Sequence, residues 1–171
     1  MSFLVLLDRD GVINDVPKDD KRYILSKEEL FVRTKVLLEI VRIQAAMEVA
    51  VVTNQQCLGK GLISRDVLDD LHQSINENLL NLGGRSLKFY VCGHLEENQC
   101  ECRKPKPGLV LEAMKDYGVE KNENCLFIGD SDTDELAASR AGIKSIKVRD
   151  EESTLRVLET LSIRENLLIW S

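Results

Sequence analysis

No run of about 20 apolar residues, the length a membrane-spanning helix needs, occurs in this 171-residue chain. The apolar start "FLVLL" is short, and Asp8 and Asp10 follow where a secretory signal would place its cleavage region. A cytoplasmic protein without a leader is therefore expected. Positive charge is not in excess: 23 Lys and Arg stand against 29 Asp and Glu, a net charge of −6. That balance argues against nucleic acid or a membrane surface as partner, while local basic clusters can still hold a small anion. Histidine is scarce, at two residues, and cysteine is odd in number, at five, which excludes a complete disulfide framework. Repeats, low-complexity stretches and linker-like segments are missing too, so residues 1–171 are expected to form a single domain. No long apolar seam is visible, and a monomer is the expectation.

What is present is an ordinary globular balance, 43% apolar and 30% charged, in a chain long enough to bury a core. Short, continuously apolar runs alternate with stretches of helical spacing. "FLVLLD" (Phe3 to Asp8) and "EVAVVTN" (Glu48 to Asn54) read as buried strands, the first on both faces, and "LKFYVC" (Leu87 to Cys92), "CLFIGD" (Cys125 to Asp130) and "KSIKV" as three further strands. Helices are predicted over 34–46, after an N-cap at Ser64 with Val67, Leu68, Leu71, Ile75 and Leu79 as its apolar stripe, from Pro107 to Tyr117, over 132–141, and over 151–162. "NLLIW" is left as an apolar tail of unassigned pairing. Strand–helix alternation of this kind predicts an α/β three-layer sandwich: a Rossmann-like parallel sheet with helices on both faces.

Three of the apolar runs end in polar residues: Asp8-Arg9-Asp10-Gly11, Thr53-Asn54-Gln55, and Gly129-Asp130-Ser131-Asp132-Thr133-Asp134. In an open parallel sheet the carboxyl ends of the strands line the ligand crevice, so the pattern gathers carboxylates, a hydroxyl and a cationic loop in one place. Each piece alone also suits a turn. Carboxylates crowded together repel one another without a cation, and oxygen-only ligands suit Mg²⁺. Lys104 or Lys106 adds a further positive charge. Such a site can hold a phosphoryl group and spread its charge.

In "LLDRDGVIN", "VVTNQ", "RKPKPG" and "FIGDSDTD" the chain resembles, in order and over nearly its whole length, the haloacid dehalogenase superfamily of phosphohydrolases. The resemblance implies the following roles. Asp8 is the nucleophile that forms an aspartyl-phosphate, and Asp10 is the general acid and then base. Asp8, Asp130 and the backbone carbonyl of Asp10 hold Mg²⁺. Thr53 and Lys104 bind the transferring group, and Asp134 supports the motif. Asn54, Arg103 and Lys60 join Lys104 as candidates for contact with the small phosphorylated substrate. The span from Asp10 to Thr53 is too short for a large cap domain.

Cys92, His94, Cys100 and Cys102 supply a Cys₃His set, which suits a closed structural Zn²⁺ site and would make 92–102 a zinc-stapled loop ending beside Arg103 and Lys104. The other readings are unligated thiols and a metal-free redox sensor. This spacing resembles two branches of the superfamily, the heptose-bisphosphate phosphatases and the histidinol-phosphate phosphatases. "DGVIN", "GKGLIS" and "RKPKPG" are closer to the first, and the short loop from His94 to Cys100 to the second. Gln56-Cys57 and Arg33-Thr34 depart from the heptose pattern, so other sugar phosphates stay open, as does a catalytically silent binding protein on the same fold. Cys125 is expected to be a buried small hydrophobe, and His72 a surface or boundary histidine without a role.

Overall fold

The structure is a computed structural model that describes residues 3–17, 23–120 and 122–168, with side chains as far as residue 163. The apolar runs form five strands, β1 (Phe3–Leu7), β2 (Met47–Asn54), β3 (Lys88–Cys92), β4 (Cys125–Gly129) and β5 (Lys144–Lys147). Five helices alternate with them: α1 (Thr34–Ile43), α2 (Arg65–Asn81), α3 (Gly108–Asp116), α4 (Asp132–Ala141) and α5 (Glu151–Leu168). Among the described residues the strands of the sheet pair in parallel, in the order β3-β2-β1-β4-β5. The chain steps outward from β1 through β2 to β3, then returns to β4 on the other side of β1. The order therefore reverses between β1 and β4, where ligands of open α/β sheets bind.

Strand alternation separates two cores. Val5 and Leu7 face α1, α2 and α5 through Val36, Ile40, Ile75, Leu79 and Leu158, while Leu4 and Leu6 face α3 and α4 through Val110, Ala113, Ala137 and Ala138. Three layers result, and the described part of 8–33 holds only a 3₁₀ turn (Lys27–Glu29), so there is no cap domain. Among the described residues no helix is long and apolar enough to cross a membrane.

Local chemistry sets the helix ends. The Ser64 hydroxyl accepts from the Val67 amide at the start of α2, and Gly142, at φ +77°, closes α4. Three expectations change. Helix α5 runs on to Leu168 and takes in the start of the "NLLIW" tail, whose end lies outside the described residues. On α2, Val67 is 38% exposed although the apolar stripe included it. In its place His72 is 5% exposed, so this histidine is a core residue and not a surface one.

Candidate active site

Register places the polar residues. Leu7 lies level with Val51 of β2 and Ile128 of β4, so the residues that follow, Asp8, Thr53 and Asp130, emerge together at the carboxyl edge. Lys104, 3% exposed, reaches in from the loop before α3. Its Nζ lies 2.9 Å from Asp8 Oδ1 and 2.7 Å from Asp134 Oδ1, and donates to the Val52 carbonyl at 3.0 Å. Burial would lower this ammonium, but Asp8 and Asp134 outweigh burial and hold it above its ordinary value. Lys106, the other lysine open for this place, instead donates to the Gln99 carbonyl and Glu101 on the loop side.

Asp8 Oδ1 accepts from the Arg9 amide at 2.8 Å as well as meeting Lys104. Among the described residues no hydrogen bond reaches Oδ2, which keeps its lone pairs for an electrophile. Burial pushes the Asp8 carboxyl up to about 7; Lys104 opposes this, while Asp134 and Asp10 add to it. The Asp130 carboxyl is also raised, first by burial and then by Asp134. Oxygens of Asp8, Asp130 and Asp134 all lie within 4.8 Å of one another, so one cation can touch all three. Asp134 is already engaged: Oδ2 accepts from the Ser131 amide and hydroxyl in the capping box of α4, and Oδ1 faces Lys104. Two glycines make the crowding possible. A Cβ on Gly11, at φ +83°, would overlap Asp130 Oδ2, and one on Gly129 would overlap Asp134.

Asp10 turns to a different set of partners. Arg9, 0% exposed, donates from Nε and Nη2 to its carboxylate at 3.0–3.1 Å. Asn14 Nδ2 donates to Oδ1 at 2.8 Å and Gln55 Nε2 to Oδ2 at 2.9 Å. Burial would raise the Asp10 carboxyl, but Arg9 and these hydrogen bonds hold it below its ordinary value. Gln55 Nε2 also donates to Thr53 Oγ1 at 2.9 Å, which leaves the Thr53 proton free for an oxygen in the cavity. The roles of Arg9, Asn14 and Gln55 were missed in the sequence. The signal available was an arginine between two aspartates, too valuable a charge to sit idle at a strand end.

Asp8, Asp10, Thr53, Asn54, Lys104 and Asp130 line one cavity of about 340 Å³. A second, of about 530 Å³, shares Lys104 and Thr133 with it and is walled by Arg103, Lys106 and Arg140. Asn54 is exchanged for a clamp: its amide donates to the Lys104 carbonyl and accepts from the Lys104 amide, both at 3.1 Å. Arg103 carries a buried Nη1 with no hydrogen-bond partner among the described residues. Lys60 is exposed, 5.3 Å from the Tyr23 ring centroid, and lines neither cavity.

Beside this site the four Cys and His side chains converge. Sγ···Sγ separations are 3.3–3.6 Å and His94 Nδ1 lies 3.2 Å from Cys102 and 3.6 Å from Cys92. A tetrahedron with zinc–sulfur bonds of about 2.3 Å has edges of roughly 3.8 Å, close to these separations, whereas a disulfide needs about 2.05 Å. The set thus fits a tetrahedral metal. Burial and the neighbouring thiols push Cys102 up to about 12, and burial raises Cys92. At Cys100 burial is outweighed by hydrogen bonds from these two, which bring it down to about 7. One sulfur therefore ionises readily, and all three together resist it without a cation. Cys92 ends β3, which anchors the loop to the sheet, and Cys125 is buried in β4 as expected.

The profile of the HAD-hydrolase-like family matches residues 101–169. The D-glycero-beta-D-manno-heptose-1,7-bisphosphate 7-phosphatase of Pseudomonas aeruginosa is 38% identical over 139 residues, 81% of this chain and 75% of that one. The histidine biosynthesis bifunctional protein HisB of Blochmanniella floridana is 32% identical over 145 residues, 84% of this chain and 40% of that one. Among solved structures, the D,D-heptose 1,7-bisphosphate phosphatase of B. bronchiseptica, complexed with magnesium and phosphate, superposes with a TM-score of 0.82 at 28% identity over the whole of both chains.

Proposed function

The chain belongs to the HAD-like hydrolase family, as a phosphatase of the branch shared by heptose-1,7-bisphosphate 7-phosphatases and HisB, and we propose that its substrate is a heptose 1,7-bisphosphate cleaved at the 7-phosphate. The observation that carries this choice is Arg103, which lines a cavity adjoining the Asp8 cavity and whose buried Nη1 has no hydrogen-bond partner among the described residues. A bisphosphate brings a second oxyanion to that arginine, and its fork binds oxyanions in bidentate fashion. Histidinol phosphate would bring an ammonium there, against Arg103, Lys106 and Arg140.

Asp8 Oδ2 attacks phosphorus as the bond to the sugar oxygen breaks, giving an aspartyl-phosphate. Arg9, Asn14 and Gln55 favour the ionised Asp10, so as general acid it must first take up a proton from solvent. It gives that proton to the leaving alkoxide and, ionised again, takes one from the water that attacks phosphorus and frees Asp8. Lys104 and the Thr53 hydroxyl hold the phosphoryl oxygens, and Asn54 keeps Lys104 in register with β2. Asp8 and Asp130, with the Asp10 carbonyl, would hold Mg²⁺, since Asp134 is committed to Lys104 and the α4 cap. When bound, the ion would offset carboxylate repulsion and spread charge from the phosphoryl oxygens. Zn²⁺ in the Cys₃His loop would be structural, with no position open for water.

The test is a comparison of kcat/KM for heptose 1,7-bisphosphate, fructose 1,6-bisphosphate and histidinol phosphate in the wild type and in Arg103→Ala. The heptose bisphosphate is expected to lead. Arg103→Ala should lower its value by about 10–100-fold, equivalent to the ~1.5–3 kcal/mol of a hydrogen bond to a charged group, and leave monophosphates nearly unchanged. Preference for histidinol phosphate, or an equal loss on monophosphates, would reject the assignment.

A further inference from the structure

Arg9 is a full positive charge with no exposure, and a buried charge persists only where its hydrogen bonds are met. Nε and Nη2 meet Asp10. Nη1 meets something the sequence places 63 residues away: His72 Nε2, at 3.2 Å. A guanidinium has only donors, so this nitrogen of His72 must be the acceptor and the imidazole must be neutral, its proton on Nδ1. The surroundings agree, because burial together with Arg9 and Arg65 pushes His72 down to about 3. The ring is also fixed in plane. It stacks on Phe89 of β3 with centroids 4.0 Å apart and 6° between planes.

A chain of fixed orientations follows. Phe89 sets the imidazole plane, the imidazole lone pair sets the rotation of the guanidinium, and the guanidinium presents Nε and Nη2 to Asp10. Asn14 and Gln55 approach the same carboxylate and cannot replace this, since neither has two donors in a rigid fork. We infer that His72 is a positioning residue for proton transfer, acting through Arg9 to hold the Asp10 carboxylate at the angle from which it serves the leaving oxygen. The inference rests on the proposed role of Asp10 as general acid and extends it to a residue on α2 that no motif of the site contains.

Leaving-group dependence tests it. A nitrophenolate departs without a proton, whereas the alkoxide of a hexose 6-phosphate needs one. His72→Phe keeps the ring stack and removes the acceptor, and His72→Gln supplies an acceptor without the ring. For His72→Phe, kcat/KM on the hexose phosphate should fall about tenfold more than on p-nitrophenyl phosphate, a fraction of the roughly 10²–10⁴-fold that general acid–base catalysis contributes. His72→Gln should recover most of that ratio. The ratio does not depend on how much protein is folded, because both substrates meet the same population, and if His72→Phe yields no folded protein the ratio in His72→Gln still has to stay near wild type while His72→Leu departs from it. Equal losses on both substrates, or no loss, would overturn the inference. Asp10→Asn separates the layers beneath: leaving-group dependence there but not in His72→Phe rejects the relay alone. Its absence in both rejects the general-acid role together with the relay.

Discussion

Two polar clusters lie side by side in this molecule and are held by opposite means. The carboxylate–lysine cluster sits on three strand ends and a capped helix. Its positions follow from β1, β2 and β4 being in register, and the sheet keeps Asp8, Asp130 and Asp134 close although they repel one another. The Cys92–Cys102 loop has one 3₁₀ turn, Glu96–Asn98, and no residue buried beyond Cys92, so little of its own chemistry closes it. One cluster is a shape imposed by the fold that a cation relieves. The other is a set of side chains that fits a tetrahedral metal. Removing a ligand should therefore leave the first standing and loosen the second.

The largest expected effect sharpens the first half of that contrast. Asp8→Asn should lower kcat by more than roughly 10⁴-fold, as losing a nucleophile does, while the far-UV spectrum stays native. Near-normal turnover would move the chemistry to another residue. Loss of fold would mean that the sheet does not hold the cluster by itself.

Next comes the loop. Cys100→Ser, or chelation followed by return of Mg²⁺ alone, should release bound zinc and lower kcat/KM for a bisphosphate by about 10–100-fold, the range seen when support around a metal site is lost. The loss should come chiefly through Arg103, because Lys104 keeps its Asn54 clamp. Cooperative unfolding of the sheet should survive. A collapse of the whole transition would erase the distinction between the clusters, and zinc loss with unchanged activity would disconnect loop from site.

A smaller effect concerns stability. Asp8 titrates at about 7 in the folded chain against an ordinary 3.8, so its contribution is fully favourable below pH 3.8 and is lost as pH rises through about 7. Without magnesium, Asp8→Asn should match the wild type near pH 4 and melt at a higher temperature near pH 8, with Lys104 still paired to Asp134. Added Mg²⁺ should stabilise the wild type more at pH 8 than at pH 5. A melting difference that is flat with pH would show that repulsion in the cluster is already relieved.

The same contrast explains what the sequence revealed. Parallel strands buried on both faces read as unbroken apolar runs, so β1, β2 and β4 and the polar residues after them were legible, and with them Asp8, Thr53 and Asp130. The Cys₃His spacing was legible because its ligands are close in sequence. What stayed hidden depends on contacts between elements far apart in sequence: Arg9 to His72, and Asn54 to Lys104, join residues 63 and 50 positions apart. A signal for His72 did exist. It lies four residues after Leu68 and three before Ile75, on the buried stripe, whereas Val67 lies off it. Weighting the stripe by spacing rather than by hydrophobicity would have placed the histidine inside.

Lys60 provides the finest test of where the site ends. Sequence pattern made it a candidate for substrate contact, yet it is exposed, rests near Tyr23 and lines neither cavity. An exposed charge outside a site acts on a charged ligand through the solvent, where salt screens it over about 8 Å at physiological ionic strength. Lys60→Ala should then raise KM for a bisphosphate no more than about twofold, leave kcat unchanged, and lose even that effect as salt is added. A KM increase beyond tenfold that persists in high salt would bring the 56–62 loop against bound substrate. The substrate-binding region would then extend beyond the Arg103 cavity, onto the segment that follows β2 and packs against the start of the cysteine loop.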